Sequence, residues 1–177
     1  MRSRYKIIDE EGLYFITSTI VEWIPVFTRA NYFQIITDSL SFCRQNKGLQ
    51  IFAYVVMDNH LHLIVSSPNL SEILRDFKSF TAKEILKLAR KENKRWLLNQ
   101  LEYYKKRHKK GSTHQVWQEG VHPQKILSET TLREKLNYIH NNPVRAGYVE
   151  KPEHWIYSSA TNYLVGRGFL EIDLYKF

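Results

Sequence analysis

Two strand-like runs, LQIFAYVVM (49–57) and HLHLIVSS (60–67), are joined by nothing but Asp58 and Asn59. So short a polar connection between β-forming runs predicts a hairpin, and a hairpin commits a chain to antiparallel pairing. The second run carries His60 and His62. Side chains two apart on a strand point the same way, so the imidazoles share one face and Leu61, Leu63 and Val65 share the other. With the leucine face packed on helices, the imidazoles stand on the open face, where two neighbouring rings can bind one divalent metal. Taken alone, a His-x-His pair more often marks two unrelated histidines.

The remaining pattern builds around this hairpin. GLYFITSTIV (12–21) predicts a strand. NYFQIITDSLSFCRQNKG (31–48) predicts a helix, because Phe33, Ile36, Leu40 and Cys43 recur at three to four residues and Gly48 supplies a stop. NLSEILRDFKSFTAKEILKLARKENKR (69–95) predicts one long helix. Asn69 and Glu72 form its capping box, and Ile73, Leu74, Phe77 and Phe80 its apolar face. VWQEGVHPQKIL (116–127) reads as extended, SETTLREKLNYIHNNP (128–143) as a helix stopped by Pro143, and 144–177 as an irregular cover. The order strand, helix, strand, strand, helix predicts a ferredoxin-like α+β sandwich: an antiparallel sheet with helices on one face and the other face open. No repeat or linker divides 1–177, so a single domain is expected.

Charge narrows the function. Lys and Arg number 26 against 18 Asp and Glu, giving a net charge of +8 and an isoelectric point near 9.5. No stretch is apolar and long enough to span a membrane, which leaves nucleic acid as the expected partner. Cations concentrate in ARKENKRW (89–96) and YYKKRHKKGSTHQ (103–115). Tyr103 and Tyr104 beside Lys105, Lys106, Arg107, Lys109 and Lys110 combine phosphate-neutralising charge with rings that stack on bases. The plainer reading is a solvated loop. Acids stand near the N-terminus where a signal peptide needs an apolar core, so a cytoplasmic protein is expected, nucleoid-associated when bound to DNA. Cys43, the lone cysteine, falls on an apolar helix face and reads as a small core residue.

Leu132, Leu136 and Ile139 form the buried stripe of the helix ending at Pro143. Tyr138 and Asn142 lie off that stripe, four apart and therefore on one face. A phenol can form a covalent phosphotyrosine, and an amide oxygen can complete a metal site begun by two histidines. From helix position alone, an amphipathic ring at a core rim and a polar residue before proline are the commoner cases.

YVVMDNHLHLIV, FKSFTAKEI, VWQEG and YIHNNPVRAGYV together resemble the motifs of the REP-associated tyrosine transposases, a branch of the single-tyrosine HUH (His-hydrophobic-His) transposases. The resemblance spans roughly residues 13–163, and YIHNNPVRAGYV is its most specific element. It implies a ferredoxin-like fold open to DNA, with His60, His62 and Asn142 holding Mg²⁺ or Mn²⁺ and Tyr138 as nucleophile. The chain departs at Asp58, where relatives often carry Pro, and at His122-Pro123, where they often carry Tyr-Asp. The implied chemistry is cleavage and rejoining of single-stranded, hairpin-bearing DNA through a 5′-phosphotyrosine. Since a free phenol titrates near 10, metal proximity or a base must help; His140 faces elsewhere on the helix. Lys78 and Arg145 are then phosphate contacts, while Trp117 and Trp155 read as core. Monomer and homodimer both stay open. The rival functions are a non-cleaving hairpin-binding protein of the same fold and a metal-dependent nuclease using water. An RNA-binding sheet ranks lower, because its strand would present aromatics where this one presents histidines.

Overall fold

The computed structural model describes Ile7, residues 12–106 and residues 111–177. Arg107, Lys109 and Lys110, three of the expected DNA contacts, lie outside the described residues. In chain order the elements are β1 (Tyr14–Thr19), α1 (Ala30–Lys47), β2 (Gln50–Val56), β3 (His60–Ser66), α2 (Leu70–Lys91), α3 (Arg95–Tyr103), β4 (Gln124–Lys125), α4 (Glu129–Arg145) and α5 (Ala160–Val165). No helix among the described residues is long and apolar enough to cross a membrane.

The hairpin forms as the Asp58-Asn59 signal requires, pairing Val56 with Leu61 and Val55 with His62. β1 then pairs antiparallel with β3, from Tyr14–Val65 to Thr19–His60, and the sheet order is β2-β3-β1-β4. Alternation along the strands splits the core in two. Ile16, Tyr54, Val56, Leu61, Leu63 and Val65 pack against α1 and α2. Phe15, Val55 and Ile64 meet Leu132, Leu136 and Ile139 of α4. The expected ferredoxin-like antiparallel sandwich is therefore present, with one amendment: α4 lies across the histidine face, which is not open. The side chains of Phe15, Val55 and Ile64 are too apolar to leave wet, and the stripe on α4 removes them from water.

Local differences have local causes. The long helix expected over 69–95 is two. Asn93 adopts a left-handed φ of 55°, which Asn tolerates, and α3 turns back to bury Leu97 and Leu101. No side chain caps α2; Glu72 pairs with Arg75 instead, at 3.2 Å. Phe80 is 56% exposed, beside exposed Phe42, in a groove between α1 and α2. Pro143 does not stop α4. It sits in the last turn, where its missing N–H costs one bond, and the chain leaves the helix at Gly147, φ 76°.

Nor is 144–177 only a cover. Val56 N–H donates to Tyr157 O at 2.9 Å, Ser159 N–H to Tyr54 O at 2.9 Å, and Asp173 N–H to Ile51 O at 2.7 Å. The Asp173 carboxylate accepts from Ile51 N–H at 3.0 Å and from Arg44. These bonds close the free edge of β2, which would otherwise template pairing with other chains.

His140 ties α4 to this segment: its Nε2 lies 2.9 Å from Ser159 Oγ, itself bonded to Tyr54 N–H. Burial pushes the His140 imidazole down to about 4. Between that value and the unfolded value near 6.5, only the unfolded chain takes up this proton, so stability falls as pH falls through that window. The loss from His140 is on the order of 3 kcal/mol. Urea unfolding from pH 7 to pH 4.5 should show the decline, and His140→Gln should make it shallower by the His140 share, leaving the part that the buried His60 and His62 contribute.

Candidate active site

His60 and His62 open β3, where its start meets β1 and α4. Thr17 lies across the β1–β3 pair from His62, and its Oγ1 meets the ring Nδ1 at 2.9 Å. The neighbouring Asn59 presents Oδ1 to His60 Nδ1 at 2.7 Å, while its Nδ2 donates to Trp23 O at 3.1 Å. That second bond fixes the Asn59 amide with its oxygen toward the imidazole, so His60 Nδ1 carries the proton and Nε2 faces Asn142. The Asn142 side chain lies against the same ring. Burial lowers the His60 pKa, opposed by the Asp58 charge and by Asn142. His62, only 5% exposed, is pushed down to about 3, by burial first and then by the charges of His60 and Lys135. Both rings are thus neutral at pH 7, the form that ligates metal. Hydrogen bonds at Nδ1 are also what orients metal-binding imidazoles.

α4 brings the phenol to these rings. Because the stripe Leu132–Leu136–Ile139 faces the sheet, Tyr138 falls at the rim, 37% exposed. Its ring meets His62 edge-on at 5.2 Å and Phe15 at 5.9 Å. His60 and His62 are 4.9 Å apart, centroid to centroid, and Phe15 stacks on His62 at 5.3 Å. The Arg145 guanidinium carbon lies 5.8 Å from the Tyr138 ring. Two imidazoles and an amide could hold one divalent ion. Among the described residues no group of three or more His, Cys, Asp or Glu offers another such site.

Three participants escaped the sequence reading. Lys135, one turn before Tyr138, holds its Nζ 4.6 Å from the Phe15 ring centroid; its spacing of three from the tyrosine was the available signal. Thr17 depends on strand register. Trp23 meets His60 edge-on at 5.5 Å and is 55% exposed. It sits in a turn where Glu22 and Trp23 both take left-handed φ values, 49° and 56°. For non-glycine residues that conformation costs on the order of 1–2 kcal/mol each.

Other expected contacts lie elsewhere. Lys78 is on α2, in the opposite layer, with its ammonium donating to the carbonyls of Gln118 and Gly120. Tyr103 and Tyr104 are exposed at the end of α3, their rings 4.9 Å apart. Lys105 follows them, and Lys106 pairs with Glu119 at 3.3 Å. None of these joins the Tyr138 cluster. Trp117 is buried, donating to Thr81 at 3.0 Å, and Trp155 donates to Val56 O at 2.9 Å.

This chain belongs to the IS200-like transposase family, whose model matches residues 24–142. A Haemophilus influenzae protein that carries the name REP-associated tyrosine transposase is 22% identical over 148 residues, 84% of this chain and 79% of its own length. The fold is similar to that of a REP-associated tyrosine transposase solved bound to a REP hairpin. There the TM-score is 0.68 and the identity 18%, over all of this chain and 95% of that one.

The His60 tautomer is testable without substrate. At pH 7, long-range ¹H–¹⁵N spectra should show an Nδ1–H form for His60. Asn59→Ala should release that preference; an Nε2–H form of His60 in the unsubstituted protein would contradict the assignment.

Proposed function

We propose that this transposase-family chain is a metal-dependent single-strand DNA nickase and strand-transferase acting on hairpin-bearing DNA through a 5′-phosphotyrosine. The carrying observation is the convergence of a rim-exposed phenol on two neutral imidazoles whose Nδ1 atoms are both engaged. Family membership supports it, as does the likeness to a protein solved on a REP hairpin.

On this reading Tyr138 Oη attacks the scissile phosphorus. The Oη–P bond forms, the P–O3′ bond breaks, and the phenolic proton is balanced by the released 3′-hydroxyl. A second 3′-hydroxyl reverses the exchange and joins strands, conserving the phosphodiester energy in the covalent link. His60, His62 and Asn142 would hold Mg²⁺ or Mn²⁺, which when bound supplies charge neutralisation at the phosphate. Lys135 and Arg145, on either side of Tyr138 along α4, offer cations to the non-bridging oxygens. His140 is not the base, because its Nε2 is committed to Ser159. Phe15 and His62 fix the phenol ring, so little ordering is left for the reaction itself. Tyr103, Tyr104, Lys105 and Lys106 contact DNA away from the chemistry. The protein's workplace is DNA in the cytoplasm.

Covalent trapping tests this reading. With Mn²⁺ and a pool of hairpin oligonucleotides, the denatured protein should carry a DNA adduct at Tyr138, lost on chelation and in Tyr138→Phe, while hairpin binding persists. Cleavage without an adduct would mean a water-using nuclease; binding with neither would mean a non-cleaving hairpin protein. Lys135→Gln should slow adduct formation by about 10²-fold with little change in affinity. Lys105→Gln with Lys106→Gln should do the reverse, lowering the slope of log affinity against log salt by about 2 while the single-turnover rate holds.

A further inference from the structure

We infer that Trp23 is a stacking platform for an unpaired nucleobase beside the scissile phosphate, and so a determinant of single-strandedness in the substrate. The inference rests on the reading of Tyr138 and the paired histidines as a DNA-processing site.

Position comes first. The Trp23 ring stands 5.5 Å from His60 at an interplanar angle of 70°, and His60 in turn adjoins His62, the ring that Tyr138 meets. A group bound between phenol and imidazoles would have its neighbour within reach of the indole. Exposure comes second: 55% of Trp23 faces solvent, although it is the most costly apolar ring to leave wet. Its flanking residues Val21 and Ile24 are buried, at 4% and 5%, and already plug the core beneath it.

The backbone supplies the third argument. Two consecutive non-glycine residues in the left-handed region are held from several directions. Val21 N–H donates to Val116 O at 2.8 Å, Trp23 N–H to Ile20 O at 3.0 Å, and Asn59 Nδ2 to Trp23 O at 3.1 Å. Strain of this kind persists only where surrounding structure over-determines it, and it gathers at functional sites. Here the fold accepts it in order to hold an indole out in water. Trp96 is equally exposed, at 60%, but sits on α3 in the opposite layer, away from the rings. The amide that tethers the Trp23 carbonyl is the same one that orients His60, so ring and platform are fixed by one side chain.

The ligand chemistry follows. A flat, uncharged π-face beside a phosphate is an unpaired base. A duplex keeps its bases stacked on each other and cannot present one. Stacking on an aromatic side chain tolerates any base, so Trp23 selects strandedness rather than sequence.

The probe is a DNA hairpin with single-stranded oligothymidine tails, with versions in which one abasic site is walked along a tail. Affinity is read by fluorescence anisotropy. Trp23→Ala should weaken binding of the tailed hairpin about tenfold or more, and Trp23→Phe by only a few-fold. One abasic position should weaken the unsubstituted protein to a similar degree and Trp23→Ala no further. Equal affinity of Trp23→Ala and the unsubstituted protein would overturn the proposal, as would an abasic walk with no sensitive position. So would an equal loss on a blunt duplex, which would mark a structural effect. The abasic walk needs no variant to fold. A Tyr138 adduct in a protein indifferent to Trp23 would sink this inference alone; stacking without an adduct would sink the cleavage reading alone.

Discussion

Across the β1–β3 pair Thr17 faces His62, and its hydroxyl meets the ring Nδ1 at 2.9 Å. The bond exists only in this register. A slip of one residue would send both imidazoles into the α1–α2 core and bring Leu61 and Leu63 under α4. The apolar core on that side prevents it: Leu61, Leu63 and Val65 are fully buried there, and putting unpartnered imidazoles in their place would cost on the order of 2 kcal/mol or more each. Apolar packing on one side of β3 therefore positions polar chemistry on the other.

α4 repeats this division on a helix. Leu132, Leu136 and Ile139 bind it to the sheet, and the same 3.6-residue period delivers Lys135, Tyr138, Asn142 and Arg145 along the adjoining face. A rigid, well-packed element carries the phenol, which suits the proposed attack on phosphorus in line. The helix is fixed beyond its own stripe. His140 reaches Ser159, and Arg133 lies 3.8 Å from the Phe177 ring. The segment containing Ser159, Asp173 and Phe177 closes the β2 edge and joins α1 to α4, so its packing bears on the site without entering it.

Much of this was legible beforehand. The Asp58-Asn59 hairpin, the α1 stripe with its Gly48 stop, and the shared face of His60 and His62 all follow from local periodicity and turn chemistry. So does the pairing of Tyr138 with Asn142 four residues on. Where expectation and structure part, long-range packing decided. The 69–95 helix breaks because Leu97 and Leu101 find burial only after a turn at Asn93. Pro143 stays inside α4 because termination falls to Gly147. The path of residues 118–120 sets two carbonyls against the Lys78 ammonium, a contact no local pattern encodes.

By itself the sequence determined which residue types are available and which of them share a face, because strand and helix periods are properties of the local backbone. It carried the hairpin, the His60–His62 pair, the Tyr138–Asn142 pair and the basic charge. Only the tertiary structure decided that α4 covers the histidine face, bringing those two pairs together. Only it seated Thr17 on the His62 ring nitrogen, brought Lys135 beside Phe15, and placed Trp23 against His60. Each of these depends on strand register or on contact between residues far apart in the chain. Such contacts follow from burying apolar surface across the whole fold, and no local pattern encodes them.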